Sequence, residues 1–491
     1  MSALTSVKNS LSVLNGSRVV SFFFSLLVLS IPMQHKYDKM FRSLSKAFAN
    51  PTFDQVGLFE TKVFICIFDV LVLALFLSIV FTKRVDWKSL FWKGPVKYLS
   101  FFFFVTLSSI FFSHTSGYGL QYIRWFQLFL VGFIVFIIGA GLITGDKKGL
   151  LRKFFSLVVI TSLFQCFVAV TQYFTQHSLG LAKLGEMKLT LPGSACFGMS
   201  DGSLWIFDRL FSVPRGLEGV IRAYGTFPHP NMLGGFLVFS LFASYFLYQK
   251  AQKPLHTKLL SIVLFFQVFS LCITYSRSAL FGWIIGSLVW FGLSVWKAQQ
   301  QKNKSQSSRI RSLALIIFAS FGICFFLFYP QLASRGGVVN YTQTLAQGAD
   351  AERIAFQSIA ASIVETKPLT GVGYNNYVLS VDEYSDTPSP KFPVHNIFLL
   401  IAAETGLVGL VCFLVFLALI AIRMLKSGLD VETITLFSLF TVFMFIGCCD
   451  CYLIEGPEGK PMFFITLGLI TMMGRKSLEL APIRNTVPVS V

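Results

Sequence analysis

Charge is what this sequence is short of. Only 13% of its 491 residues are charged, whereas 54% are apolar; a soluble domain needs about 25% charged residues to dress its surface. Acidic residues are scarcest, 23 against 41 Lys and Arg. A soluble enzyme is thereby excluded, because much of the surface must meet lipid.

Metal-ligand spacing and a disulfide framework are also missing. Of nine cysteines, Cys66, Cys166, Cys272, Cys324, Cys412, Cys448 and Cys449 fall in apolar runs, where cysteine behaves as a small hydrophobe. Cys196 sits in a polar loop and Cys451 near a helix end. Cys448-Cys449-Asp450-Cys451 has no second half elsewhere, so neither a zinc site nor paired cystines are indicated. No glycine loop that would cradle phosphate is present. The outer loops hold no Asp-x-Asp pair for a metal and a nucleotide diphosphate; Asp382-Glu383 and Asp386 come nearest and read as a solvated turn. No metal and no cofactor are expected.

Hydrophobic length is there in abundance. A helix needs about 20 apolar residues to cross the hydrocarbon layer. On that basis spans fall near 18–34, 63–82, 98–113, 126–144, 154–174, 231–249, 259–274, 279–296, 313–329, 396–422, 434–454 and 461–474. Lys8 and Arg18 before an apolar run loosely resemble a signal peptide, but no convincing cleavage site follows, and the run reads as a retained first helix. The fold class is all-α, a polytopic membrane helix bundle of about twelve transmembrane helices, treated as a single integral membrane domain over 1–491.

The formal net charge of +18 does not indicate nucleic acid, since the basic residues are dispersed among short loops. They orient the chain instead. Connections 83–97, 145–153, 250–258 and 297–312 hold 17 Lys and Arg, whereas 114–125, 275–278 and 455–460 hold three. The first set is expected in the cytoplasm, with both termini, although segment 35–62 then lies outside with five basic residues. Two long periplasmic loops follow, 175–230 and 330–395. Leu204-Trp205-Ile206, Leu210 and Phe211, interleaved with Asp208 and Arg209, predict a short interfacial helix in the first. Ile354, Phe356, Ile359, Ile363 and Val364 predict an amphipathic helix in the second, ended by Lys367-Pro368. Long loops with their own order are usually functional.

Three arginines stand at outer helix ends. Arg222 lies in Arg222-Ala-Tyr-Gly-Thr-Phe-Pro-His-Pro-Asn231, Arg277 in the turn Tyr275-Ser-Arg-Ser278, and Arg353 opens the amphipathic stretch. A guanidinium stays charged and grips phosphate oxygens with a planar fork. Singly, each fits contact with lipid headgroups about equally well. Arg277 departs furthest from that reading, being in a tight turn where basic residues are scarce. His395 precedes Asn396 at the outer mouth of a span, where an imidazole can take a proton from a hydroxyl; the plainer reading is a helix start with Asn396 as its cap. His229, between two prolines, reads as a turn element with Asn231 capping the next helix. Glu404 lies nine residues below His395 on the opposite helix face, unable to orient it. Asp69 and Asp450 also sit in apolar runs, without a specific role.

These segments resemble the O-antigen ligase and polymerase superfamily of bacterial envelope glycan assembly. The resemblance rests on Arg222–Leu233, on Tyr275-Ser-Arg-Ser278, and on Arg353 through Lys367-Pro-Leu-Thr-Gly-Val-Gly-Tyr374, His395-Asn396 and Glu404-Thr-Gly-Leu-Val-Gly409. It covers a core of about 220–410. It implies metal-independent, inverting glycosyl transfer at the periplasmic face of the bacterial inner membrane. The donor would be a glycan on a polyprenyl diphosphate, and the acceptor a sugar hydroxyl of lipid A-core or of another glycan. Arg222 and Arg277 would hold the diphosphate and His395 would be the base. Arg353, Asn396 and Tyr224 would contact substrate. The absence of a second arginine-glycine loop motif tilts the reading toward ligation over polymerisation. A transporter or lipid-linked glycan flippase is the alternative from another class; such proteins place their charged sites near the midplane.

Overall fold

The computed structural model describes residues 18–33, 65–82, 85–112, 118–189, 196–197, 220–329, 332, 343–385 and 392–474. The expected helix at 204–211 and the segment 35–62 lie outside them. Among the described residues twelve apolar helices form the bundle. Eight are long enough to cross a membrane: α4 (Tyr118–Gly139), α5 (Lys147–Thr175), α6 (Pro230–Lys250), α7 (Pro254–Ile273), α8 (Arg277–Gln300), α9 (Lys304–Leu327), α11 (Ile397–Lys426) and α12 (Val431–Cys449). Four are shorter: α1 (Arg18–Ser30), α2 (Ile67–Thr82), α3 (Val96–Phe111) and α13 (Gly459–Met473). The protein is a multi-pass, all-α membrane bundle. One two-residue antiparallel pairing, β1 (Cys196–Phe197) with β2 (Val220–Ile221), clips the first long loop.

Burial ranks the helices from centre to rim. The apolar window of α6 is 83% buried and that of α9 only 28%. α6 packs on α5, α7, α8 and α12, and Gly234 and Gly235 let it approach so closely. A β-carbon on Gly235 would overlap the Tyr452 ring, and one on Gly234 would press on Ala279 and Ser276. The rim helices carry Phe318, Leu315, Phe326 and Leu288 outward, as a lipid-facing surface requires.

Several boundaries differ from the hydropathy reading, among them the start of α9 at Lys304 rather than near 313, and two of them have plain local causes. The span expected at 126–144 is a helix over 118–139, because Gly141 takes the left-handed conformation. Gly141 N–H then bonds Ile138 O at 2.9 Å and Leu142 N–H bonds Ile137 O at 3.0 Å, which closes the helix while the sequence is still apolar. The span expected at 154–174 begins earlier, where the Asp146 carboxylate caps α5 by accepting from Gly149 N–H at 2.9 Å.

The second long loop contains α10 (Gln343–Thr366), which buries Phe356, Ile359 and Ile363 while Ile354 faces outward. The chain after it docks into a break in α11. At Gly406 the backbone turns to φ +70°, leaving helical groups without their usual partners. Val372 N–H and Gly373 N–H donate to the carbonyls of Ala403 and Glu404, both at 2.9 Å, and Leu407 N–H donates to Pro368 O at 2.7 Å. Irregular backbone at such a position persists only when its polar groups are satisfied by protein. Arg124 to Asn375 (2.9 Å), Gln121 to Asn376 (2.8 Å) and Tyr374 N–H to Ser109 (3.0 Å) pin the same loop to α4 and α3.

At the opposite end, where the basic connections lie, Lys250 pairs with Glu432 at 2.8 Å and Arg309 donates to Ala251 O at 2.6 Å.

Candidate active site

The helix α6 starts with a cap that the sequence reading assigned to the wrong residue. His229, not Asn231, is the cap: its Nδ1 accepts the Asn231 backbone N–H at 3.1 Å, and Pro230 occupies the first helical position. The Asn231 side chain is therefore available for longer-range work. Its Oδ1 accepts from Arg222 Nη2 at 2.8 Å, and its Nδ2 donates to Asp450 Oδ2 at 3.1 Å.

Arg222 is buried, and its Nε–H donates to Thr274 O at 2.7 Å. The neighbouring Ala223 N–H bonds Ile273 O at 3.1 Å, so the Arg222 segment lies along the turn between α7 and α8. That turn is tight: buried Tyr275 adopts φ +49°, its hydroxyl 3.0 Å from that of Tyr173. Ser276 caps α8 by accepting from Ala279 N–H. Arg277 is the first helical residue of α8 and half-buried, at the same end of the bundle as Arg222.

Asp450 terminates α12 and is buried. Its Oδ1 stands 3.2 Å from His395 Nδ1 and accepts Cys451 N–H at 2.9 Å. Burial works against ionisation of this carboxyl, but the hydrogen bond from His395, the two nearby imidazoles and the Asn231 amide outweigh it and hold it below the usual carboxylate range. An anionic Asp450 accepts from Nδ1–H, which leaves His395 Nε2 as the nitrogen with a lone pair. The His395 side chain is 31% exposed against 6% for Asp450, so the imidazole lies at the mouth and the carboxylate behind it.

One chain of hydrogen bonds thus links Arg222, Asn231, Asp450 and His395, drawn from three separate stretches of sequence. Asp450 and Asn231 are the members that sequence reasoning missed. The available signal was an acid at the end of a span that terminates on the same side as His395.

The other expected residues are placed as follows. Arg353 is half-buried on α10, and its charge reaches Cys449, next to Asp450. Asn396 caps α11, its Oδ1 accepting from Phe398 and Leu399 N–H at 2.9 and 3.0 Å, and is half-buried. Tyr224 is buried, its ring edge-on to His229 at 6.4 Å. Glu404 is buried and accepts Tyr377 N–H at 3.3 Å. Asp69 accepts from Gln127 at 3.2 Å and from Cys66 N–H at 3.0 Å.

His395, Asp450 and Cys451 place one potential ligand atom each within 4.8 Å of the others. An ion there would take the nitrogen and oxygen that now bond one another, and among the described residues no fourth His, Cys, Asp or Glu joins them. What the arrangement offers chemically is a histidine oriented by a carboxylate and joined through Asn231 to one fixed guanidinium, that of Arg222.

Residues 261–414 match a family model described as O-antigen ligase. That match supports the O-antigen ligase superfamily. No curated protein matches the chain. The matched residues include Arg277, Arg353, His395 and Asn396, while Arg222, Tyr224 and Asp450 lie outside them. It supports a membrane function of the glycan ligase or polymerase type, and a glycosyltransferase-like enzyme in general terms.

Proposed function

We propose that the protein transfers a glycan from a polyprenyl diphosphate carrier to a sugar hydroxyl, with inversion, at the periplasmic face of the bacterial inner membrane. Ligation to lipid A-core is the preferred branch, and chain polymerisation the alternative within the same chemistry. The observation that carries the proposal is the Arg222–Asn231–Asp450–His395 chain, with Arg277 at the same end. The long loops 175–230 and 330–395 would frame the site within a core of about 220–410, in one integral membrane domain over 1–491.

The steps follow from the side chains. The acceptor oxygen attacks the anomeric carbon and its proton passes to His395 Nε2. The bond from that carbon to the diphosphate oxygen breaks, and the electron pair leaves with the polyprenyl diphosphate. Asp450 offsets the imidazolium charge that His395 gains. Arg222 and Arg277 meet the negative charge growing on the leaving group, which is where preorganised charge lowers a barrier most. Arg353 would add a phosphate or glycan contact, and Tyr224 and Asn396 would shape the site around them.

Deletion of the protein, followed by gel separation of envelope glycans, tests the branch. Lipid A-core without polymer, with polymer accumulating on its lipid carrier, is the ligase outcome. A single repeat unit left on the core would indicate polymerase. Unchanged glycans would reject both, and vesicle transport without transfer products would favour a flippase.

A further inference from the structure

The helix α5 and its C-cap carry a buried polar seam. Gln165 and Gln172 are seven residues apart on one face of α5, Gln176 follows as its left-handed C-cap, and all three are buried. A primary amide inside an apolar bundle is costly unless both its ends are bonded. Here every one is bonded to the non-helical segment 221–226 that bears Arg222. Gln176 Oε1 accepts Ile221 N–H at 2.6 Å. Gln172 Oε1 accepts the N–H groups of Tyr224 and Gly225 at 3.2 and 2.8 Å, and its Nε2 donates to Gly225 O at 2.8 Å. Gln165 Oε1 accepts Thr226 N–H at 2.9 Å, and its Nε2 donates to Thr226 Oγ1 at 2.9 Å. The Thr226 hydroxyl in turn donates to Pro32 O near the end of α1.

Residues 221–226 are not in a helix, and β2 covers only Val220–Ile221, so their backbone groups need partners from elsewhere. The three amides supply several of them, two from α5 and one from its C-cap, and Ile273 O takes Ala223 N–H. Glu186 locks the middle one from behind, accepting from Gln172 Nε2 at 2.8 Å while holding Leu179 and Leu181 N–H at 2.6 Å. Arg222 sits between the first and second clamped residues, and its own bonds to Thr274 and Asn231 require its backbone at a fixed height above α7.

We infer that Gln165, Gln172 and Gln176 form a positioning ladder that sets Arg222 for the donor diphosphate. The inference rests on the reading of Arg222 given above. The glutamines touch no reacting atom, so their effect passes through the arginine.

The test is a double-mutant cycle in purified, lipid-reconstituted full-length protein, using Arg222→Lys as a background with measurable residual transfer. Gln172→Leu is expected to lower kcat/KM for the donor by about tenfold or more, since a removed partner leaves buried N–H groups unbonded, while KM for the acceptor stays put. In the Arg222→Lys background the same change should cost less than about threefold, because coupled residues are not additive. Should Gln172→Leu fail to insert, Gln165→Met, which releases only Thr226, carries the same cycle. Equal losses in both backgrounds, or an equal rise in acceptor KM, would show a general packing role and overturn the ladder. Wild-type donor kinetics for the glutamine variants alone would overturn it and spare the reading of Arg222. Wild-type donor kinetics for Arg222→Lys would overturn both.

Discussion

Asp450→Asn replaces one oxygen by nitrogen and thereby tests the direction of each hydrogen bond in the site. The carboxylate accepts on both oxygens: Oδ1 from His395 at 3.2 Å and from Cys451 N–H at 2.9 Å, Oδ2 from Asn231 at 3.1 Å. Asn231 has to present its nitrogen, because Arg222 engages its oxygen at 2.8 Å. An amide at 450 has only one accepting edge. If its oxygen faces His395, its NH₂ meets the NH₂ of Asn231. If Asn231 flips to escape, it turns a donor toward the Arg222 guanidinium. If instead the new NH₂ faces His395, Nδ1 must accept, and the ring proton moves to Nε2, the nitrogen that has to be bare. No arrangement satisfies the set. The negative charge behind the imidazolium is also lost. A hydrogen bond to a charged group contributes about 1.5–3 kcal/mol, or about 10–10² in rate. Complete loss of a general base costs about 10²–10⁴, which sets the ceiling. The expected fall in kcat is therefore about 10²–10³, between these bounds. The assay is transfer by reconstituted protein with a lipid-linked glycan donor, normalised to inserted protein. A variant retaining half of the wild-type kcat would refute the argument.

Three further outcomes are expected. Gly406→Ala should destabilise the protein by about 3 kcal/mol or more, because φ is +70° and the new β-carbon would stand 2.2 Å from Leu369 O; an unchanged melting temperature would contradict the break described in α11. Transfer should survive chelation of divalent ions, since guanidinium groups carry the charge stabilisation; loss on chelation and recovery with zinc would point to His395, Asp450 and Cys451 as ligands. Asp450 is held below the carboxylate range, so its contribution to stability is present above the unfolded pKa of about 3.9 and is lost only as pH falls through the lower folded value. The melting-temperature advantage of wild type over Asp450→Asn should accordingly shrink as pH falls below about 4; an advantage unchanged down to about pH 2 would contradict it.

Helix number and class were legible in the sequence because apolar length is read directly from hydropathy. Ends were less so. Gly141 stops α4 inside an apolar run, where composition gives no warning. The helix at Ile397 was foreseen, but its break was not: Gly406 is one glycine among many, and its meaning depends on a loop thirty-odd residues earlier. Residue chemistry pointed to Arg222, Arg277 and His395. It could not find Asn231 or Asp450, since each looks local (a cap, an acid near a helix end) until the fold brings them within bonding distance. The glutamines of α5 were similarly silent, because their partners are backbone groups that leave no mark in sequence.

The most direct measurement follows radiolabelled glycan in reconstituted vesicles containing lipid-linked donor and acceptor, comparing wild type with His395→Ala at equal insertion. The expected result is labelled acceptor from the wild type, none from the variant, and undiminished donor binding by both. Wild-type transfer by His395→Ala would contradict the account.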